Sequence, residues 1–227
     1  CLAAGLLAVP ATQLPNVDGQ RFLSPALASL IVTTSPAVTA VLGASFLRER
    51  LGVRQAAGFA IALGGAALVI VAGAGTGADL SASDPLRAAV AALGPASWAA
   101  YTLVAKPLAA RHHAVTAVGV AIIVGTVSLA PAVPAALASA DDMSASSWAW
   151  LVFLAIGGTV VPYLLWSAAL RGLEINKTAA FLYLTPVFAF AWSTLLLDTE
   201  LSAAALAGGA IVLVGVILTQ QRPASST

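Results

Sequence analysis

Hydrophobic windows long enough to cross a lipid bilayer follow one another along almost the whole chain. A spanning helix needs about 20 mostly apolar residues, and such windows lie at 1–20, 25–46, 54–74, 87–107, 115–137, 148–170, 177–197 and 203–220. Only 8% of the residues are charged, against about 25% in an ordinary soluble domain. A water-soluble surface cannot be built from so few charges. The sequence therefore predicts an all-α, polytopic membrane protein with eight of its helices spanning the bilayer.

The sequence contains an internal repeat, with an offset of 150 residues between the two copies. The matching pairs are Pro36 with Pro186, Leu47 with Leu197, Leu51 with Leu201, Gly58 with Gly208, and Gly65 with Gly215. Extending this register towards the N-terminus places two further helices before Cys1, so eight of ten transmembrane helices would be present. Because each repeat unit contains an odd number of helices, five, the second unit must enter the membrane from the opposite side. The expected architecture is an inverted repeat, which many secondary transporters use.

Charged residues alternate in sign between successive breaks of the hydrophobic pattern. The breaks at 47–54, 108–114 and 171–177 are basic, whereas Asp79, Asp84, Asp141, Asp142, Asp198 and Glu200 fall in the intervening breaks. Lysine and arginine concentrate on the cytoplasmic side of membrane proteins. We therefore predict a multi-pass protein of the cell membrane whose basic breaks and C-terminus are cytoplasmic.

A small-residue helix leads through a proline to a charged bend and then to a glycine-rich helix. The residues are Ser24 to Ile31, Ser35-Pro36, Phe46 to Leu51, and Gln55 to Gly58. This run resembles the EamA domain of the drug/metabolite transporter superfamily. The resemblance implies that 1–75 is the C-terminal part of a first EamA repeat, 86–220 a second repeat, and 221–227 a cytoplasmic tail.

The resemblance also implies a function. We expect a secondary transporter, not an enzyme, that moves a small metabolite, amino acid or drug-like solute across the cytoplasmic membrane by alternating access. Export is the expected direction, and coupling to protons or other cations is an open possibility. A lipid-handling translocator of similar architecture and an integral membrane enzyme are the alternatives.

Paired prolines near the middle of two spans are the first candidates for a solute site. Pro36 and Pro186 each remove a backbone donor, which leaves the carbonyls of Val32 and Leu182 without their usual partners. Proline-interrupted segments at matching positions of two repeats indicate a transporter's binding site. One interpretation is that Ser35-Pro36 and Thr185-Pro186 contact solute. The other is that they are ordinary kinks in which Ser35 and Thr185 hydrogen-bond to their own helices.

Polar side chains within the first predicted span are the second group of candidates. Gln13, Asn16 and Asp18 lie close together there, and the second copy has no counterparts. An intramembrane carboxylate is a functional hypothesis by default, here for proton or cation coupling. Asp18 also lies three residues before Arg21, so a solvated Asp–Arg pair at the helix end is the competing interpretation.

Five aromatic residues and one threonine form the third group: Trp98, Tyr101, Tyr163, Trp166 and Tyr183, with Thr102. Trp98 with Tyr101, and Tyr163 with Trp166, share a helix face because three residues separate each pair. These faces either line an amphipathic cavity or pack the bundle.

The remaining charged residues and the histidines are better explained by their positions at helix ends than by a catalytic or binding role. Lys106, Arg111, His112 and His113 close one span, where proton relay or anion attraction is the functional alternative. Glu49 is expected to be a solvated charge in its bend, and the alternative is a gate formed with Arg48 and Arg50. With one cysteine and two histidines in the chain, we expect no metal site and no cofactor. A net charge of +1 with scattered basic residues gives no nucleic-acid footprint. The expected partners are a small-molecule substrate and the lipid bilayer, with the oligomeric state open between a monomer and a homodimer.

Overall fold

The computed structural model describes residues 1–47, 49, 51–74, 79–80, 85–138, 140, 143–197 and 202–221. These residues form helices and short connections, without a strand among them. The predicted loop charges Arg48, Arg50, Asp84, Asp141, Asp142, Asp198, Glu200 and Arg222, and the tail beyond residue 221, lie outside the described residues. The prediction of an all-α protein is confirmed.

Within the described residues the chain forms thirteen α-helices. They are α1 (Leu2–Ala8), α2 (Pro10–Phe22), α3 (Pro25–Thr33), α4 (Ser35–Phe46), α5 (Val53–Gly73), α6 (Pro85–Arg111), α7 (Ala114–Ser128), α8 (Val133–Ala138), α9 (Ala145–Ala155), α10 (Val161–Gly172), α11 (Ile175–Ala180), α12 (Leu184–Leu197) and α13 (Ala203–Gln220). Short 3₁₀ turns at Ala130–Ala132 and Phe181–Tyr183 and a π-helical turn at Ile156–Val160 join some of them.

Six helical stretches of the described chain are long and apolar enough to cross a membrane. They are Pro25–Phe46, Val53–Gly73, Pro85–Arg111, Ala145–Gly172, Ile175–Leu196 and Ala203–Gln220, and α7 with Ala130–Ala138 adds a seventh that is bent by 49°. Residues 1–20, predicted as a span, instead form α1 and most of α2, which break at Val9. The break arises because Pro10 begins a new helix, and polar residues make α2 less apolar than a typical span. The protein is nonetheless polytopic.

Helices α5 and α13 hold the two copies of the repeat together through four glycines. A Cβ atom built on Gly58 would lie 2.8 Å from the backbone oxygen of Gly215, and one on Gly65 would lie 2.8 Å from that of Gly208. The helices are therefore antiparallel and in backbone contact, as small residues permit in membranes. Adding 150 to one member of each contact and subtracting it from the other converts the first contact into the second. The interface thus has the two-fold pseudosymmetry expected of an inverted repeat.

Both proline-containing spans are interrupted just before the proline. The first breaks at Thr34, between α3 and α4, and the second passes through the 3₁₀ turn Phe181–Tyr183 before α12. The Thr34 hydroxyl donates a 2.7 Å hydrogen bond to the carbonyl of Ile31. Ser35 does not hydrogen-bond to its own helix as the kink interpretation supposed, because its buried Oγ has no partner in the described chain.

Three of the predicted cytoplasmic segments meet at one end of the bundle. Arg171 donates hydrogen bonds to the carbonyls of Ala109 and His112, which joins the 108–114 and 171–177 breaks. Gln220, at the end of α13, donates a 3.0 Å hydrogen bond to the carbonyl of Lys177. The grouping follows the predicted topology, and the assignment of this end to the cytoplasm stays a prediction.

Candidate functional site

A cavity of about 1120 Å³ opens at the opposite end of the bundle. Its rim includes Gln20, Pro25, Gly73 and Ala74, all of them exposed, whereas Ser35 and Pro36 at its deep end are buried. Helices α3 and α12 form two of its walls, and α2, α5 and α6 contribute others. The volume exceeds what a small metabolite needs.

Eight of the thirteen candidate residues line this cavity: Gln13, Asn16, Ser35, Pro36, Trp98, Tyr163, Thr185 and Pro186. The two proline motifs, although 150 residues apart in sequence, therefore face the same space. The other five candidates, Asp18, Tyr101, Thr102, Trp166 and Tyr183, are not among the lining residues.

The described wall of the cavity is polar in places and uncharged throughout. Amides of Gln13, Asn16 and Gln20 and hydroxyls of serine and threonine alternate with aliphatic and aromatic side chains. None of the described lining residues is Asp, Glu, Lys, Arg or His. A solute with a net charge would lose its hydration without gaining a counter-charge from these residues, which is costly.

Four aromatic rings pack against one another beside the cavity, and two of them line it. The ring centroid of Trp98 lies 5.3 Å from that of Tyr101, 5.6 Å from that of Tyr163 and 5.5 Å from that of Trp166. Only Trp98 and Tyr163 of these four reach the cavity, while Tyr101 and Trp166 are buried behind them. Trp98 and Tyr163 therefore fit the interpretation as cavity-lining residues, whereas Tyr101 and Trp166 fit the interpretation as packing residues.

Hydrogen bonds fix the orientation of this aromatic group. The Tyr163 hydroxyl donates a 2.8 Å hydrogen bond to the carbonyl of Ala8, at the end of α1. The Thr102 hydroxyl donates to the carbonyl of Trp98, one turn earlier in α6, at 3.0 Å. Tyr183 packs elsewhere, edge to face with Phe59 at 6.1 Å between ring centroids. Thr102 and Tyr183 thus belong to the packing of the bundle.

Asp18 is paired with an arginine other than the one expected from the sequence. Its carboxylate accepts hydrogen bonds from Nη1 of Arg87 at 3.1 and 3.4 Å, so the predicted pair with Arg21 is wrong. The guanidinium of Arg87 also lies over the ring of Phe22, 3.4 Å from its centroid. The pair joins α2 to α6, and both side chains are about one third exposed.

Glu49 is not the solvated bend charge that the sequence suggests. One carboxylate oxygen lies 2.9 Å from Nζ of Lys106 and accepts the backbone N–H of Ile175 at 3.0 Å. The other accepts the backbone N–H of Asn176 at 3.2 Å. Lys106 also donates to the carbonyl of Leu173 at 2.8 Å. The Glu49 side chain is 12% exposed, so the expectation of a solvated charge is wrong.

We call these five residues the clasp: Glu49, Lys106, Leu173, Ile175 and Asn176. The clasp ties the end of α4 in the first copy to α6 and to the start of α11 in the second copy. A carboxylate that accepts N–H groups at a helix start also interacts favourably with the helix dipole. Sequence reasoning missed the clasp because its members are up to 127 residues apart, and charges at a bend give no signal of their partners.

Comparison with known proteins identifies the family. The model of the EamA-like transporter family matches residues 1–71 and 86–220. A "Probable terminal-alkyne amino-acid exporter" of Streptantibioticus cattleyicolor is 32% identical over 208 residues, which cover 90% of this chain and 67% of that protein. A "Probable amino-acid metabolite efflux pump" of Salmonella typhimurium is 29% identical over 211 residues, which cover 87% of this chain and 68% of that one.

A solved structure titled "Crystal structure of protein" has the same fold, with a TM-score of 0.78 at 17% identity over 96% of this chain and 75% of that one. The chain spans about two thirds of the length of the two curated relatives. Family and relatives are transporters and not enzymes, which excludes the membrane-enzyme alternative. The resemblance found in the sequence is confirmed: the chain belongs to the EamA-like transporter family.

Proposed function

We propose that this protein exports a small amphipathic solute without net charge, of the amino-acid or amino-acid-metabolite class. The observation that carries the proposal is the 1120 Å³ cavity, whose described wall joins amides and hydroxyls to aromatic and aliphatic side chains without a charged group. A zwitterion fits such a wall because its two charges can each be met by neutral donors and acceptors. Two relatives named as an amino-acid exporter and an amino-acid metabolite efflux pump support the same class.

The solute would bind beside the paired proline motifs. Gln13 and Asn16 supply amide groups on one side, and Thr185 supplies a hydroxyl on another. The faces of Trp98 and Tyr163 suit an apolar side chain or an ammonium group, since aromatic rings attract cations. Asp18 lies outside this set, so we assign it to holding α2 against α6 and not to contact with solute.

Transport would proceed by alternating access, in which the two copies rock about their shared interface. The cavity opens at the end opposite to the clasp, and the clasp joins the copies where the bundle is closed. With the clasp in the cytoplasm, as the charge pattern predicts, this conformation is the outward-facing one that releases solute.

Efflux from proteoliposomes tests the proposal. Vesicles containing the protein are loaded with radiolabelled leucine, phenylalanine, lysine or glutamate, and loss of label is measured with and without a proton gradient. We expect faster efflux of the neutral amino acids than of the charged ones. Flipping of fluorescent phospholipid without efflux of any amino acid would favour the lipid-handling alternative instead.

A matched pair of variants tests whether the cavity is the route. Ala189→Trp would fill the cavity from α12, where Ala189 is part of the wall. Leu195→Trp places the same ring on the same helix at a position that is 72% exposed and outside the cavity wall. We expect efflux to be lost in the first variant and kept in the second. Equal efflux from both would exclude the cavity as the solute site.

A further inference from the structure

The two walls of the open cavity have counterparts in the closed half of the bundle. The walls are α3, through Ala26 and Ser29, and α12, through Ala189 and Ser193. Shifting the α3 residues by +150 gives Asn176 and Ala179 on α11, and shifting the α12 residues by −150 gives Thr39 and Gly43 on α4. Helices α4 and α11 therefore form the pair that is equivalent to the open walls.

This equivalent pair is closed. Thr39 and Ala179 are 0% exposed, whereas their counterparts Ala189 and Ser29 are exposed. Asn176 is 1% exposed, and its counterpart Ala26 is 6% exposed but lines the open cavity. A Cβ atom on Gly43 would lie 3.4 Å from Oδ1 of Asn176, in ordinary contact. The two copies of one sequence element thus occupy two different states in the same molecule.

The closed pair contains a polar group that close packing leaves unsatisfied. Neither Oδ1 nor Nδ2 of Asn176 has a hydrogen-bond partner among the described residues, and both atoms are buried. A buried amide without partners destabilises the state that contains it, because it has lost its hydrogen bonds to water without replacing them. A group with this cost is better explained by a second state in which it is satisfied than by packing alone.

We infer that the interface of α4 and α11 is the closed half of the solute path, and that Asn176 contacts solute when this half opens. The inference rests on the proposed function. Exchanging the conformations of the two copies would close α3 against α12 and separate α11 from α4. Asn176 would then face the new cavity with both a donor and an acceptor, which suits a zwitterionic amino acid.

The clasp lies where this second path would reach the surface. Glu49 accepts a hydrogen bond from the backbone N–H of Asn176. The backbone of Asn176 therefore belongs to the clasp, while its side chain is the proposed solute contact. Separation of α11 from α4 requires the hydrogen bonds from the backbone of Ile175 and Asn176 to Glu49 to break. Lys106 bridges Glu49 to the carbonyl of Leu173, so it must release one of these two partners as well. Weakening the clasp is therefore expected to increase the population of the second state.

Thiol accessibility tests this inference without a known solute. Cys1 is the only cysteine, so Cys1→Ser provides a background without thiols. Thr39→Cys places a near-isosteric thiol in the proposed path. Val212→Cys is the matched control, since Val212 and its counterpart Ala62 are both 0% exposed and exchange of the two conformations leaves the position buried.

Each thiol is combined with Lys106→Met, which weakens the clasp, or with Lys177→Met. Lys177 belongs to an ion pair at the same end, but its partner Glu174 lies in the same segment three residues earlier and is 54% exposed. A membrane-impermeant methanethiosulfonate is added from the clasp side. We expect Lys106→Met to accelerate modification of the residue 39 thiol by about tenfold, the size of effect expected for a hydrogen bond to a charged group. Lys177→Met should leave the rate unchanged.

An unchanged rate at residue 39 with Lys106→Met, in a protein that still exports amino acids, would overturn the inference and leave the proposed function intact. Equal acceleration at residues 39 and 212 would indicate general loosening and would also overturn it. Clasp-dependent modification of residue 39 without efflux of any amino acid would support the path and contradict the proposed function.

Asn176→Leu provides a second readout that a purely structural residue would not give. Removal of the unsatisfied amide should raise the melting temperature of the closed state, while loss of the solute contact should lower the rate of efflux. A lower melting temperature together with lower efflux would assign Asn176 to packing and contradict its role in the path.

Discussion

Gly58 lies against Gly215, so close that neither position has room for a methyl group. A Cβ atom on Gly215 would lie 2.5 Å from the backbone nitrogen of Ala62 and 2.7 Å from the backbone oxygen of Gly58. Backbone atoms cannot move aside as a flexible side chain can. The contact therefore fixes the distance between α5 and α13.

Gly215→Ala should destabilise the protein by about 1–3 kcal/mol, the usual cost of overpacking. Gly64→Ala is the matched control, since a Cβ atom there meets nothing within 4 Å. Alanine is also the better helix former by about 1 kcal/mol, so this control should be neutral or stabilising. Thermal unfolding in detergent, followed by tryptophan fluorescence, checks both. Equal melting temperatures would contradict the packing described.

Pro36→Ala should impair transport more than folding. Alanine restores the N–H that can bond to the carbonyl of Val32, and a hydrogen bond is worth about 1 kcal/mol. That gain favours a straighter span and a different cavity floor. Efflux and membrane expression are measured together. Pro131→Ala is the control, because Pro131 lies at another bend, in the turn Ala130–Ala132, and outside the cavity wall. Equal loss of efflux and expression in Pro36→Ala would indicate a folding role.

Asp18→Asn should leave the pH dependence of efflux unchanged. The carboxylate pairs with Arg87 and is not among the residues that line the cavity. The pair is partly exposed, so its loss should change stability by at most about 1 kcal/mol. Efflux measured across a series of pH values checks this. Loss of proton dependence in the variant would return Asp18 to the coupling role that the sequence suggests.

Residues 79 and 111 should be labelled from opposite sides of the membrane. The backbone carbonyl of Asp79 accepts a hydrogen bond from the Ser24 hydroxyl, at the end where α2 meets α6. Arg111 lies at the other end, where α6 stops near the clasp. Both positions are exposed. Asp79→Cys and Arg111→Cys, each with Cys1→Ser, are treated with an impermeant maleimide in intact cells and in inverted vesicles. Labelling of both from one side would overturn the predicted topology.

The helices and their repetition could be predicted because both depend on local patterns. Hydrophobic length marks each span, and residues such as Pro36 and Pro186 recur at a fixed offset. The first predicted span shows the limit of this approach. A hydropathy window sums over Pro10 and cannot detect that the helix restarts there.

The cavity could be predicted in part, and the clasp could not be predicted. The spacing of aromatic residues within the spans predicts Trp98 and Tyr163 as candidates. It does not distinguish them from Tyr101 and Trp166, which lie behind them. Glu49 meets Ile175 across 126 residues. Such contacts depend on how helices of different copies pack, and a single sequence does not contain that information.

The absence of charge from the described residues of the cavity wall has a consequence for the energetics of export. A transmembrane potential does work of about 2.3 kcal/mol per elementary charge for each 100 mV, and a zwitterion crossing with no ion beside it moves no net charge. The potential would then neither drive nor oppose the crossing. The concentration ratio of the solute across the membrane would alone set the direction of net transport. The protein would then export solute that is in excess inside the cell, and net export would stop when the two concentrations are equal.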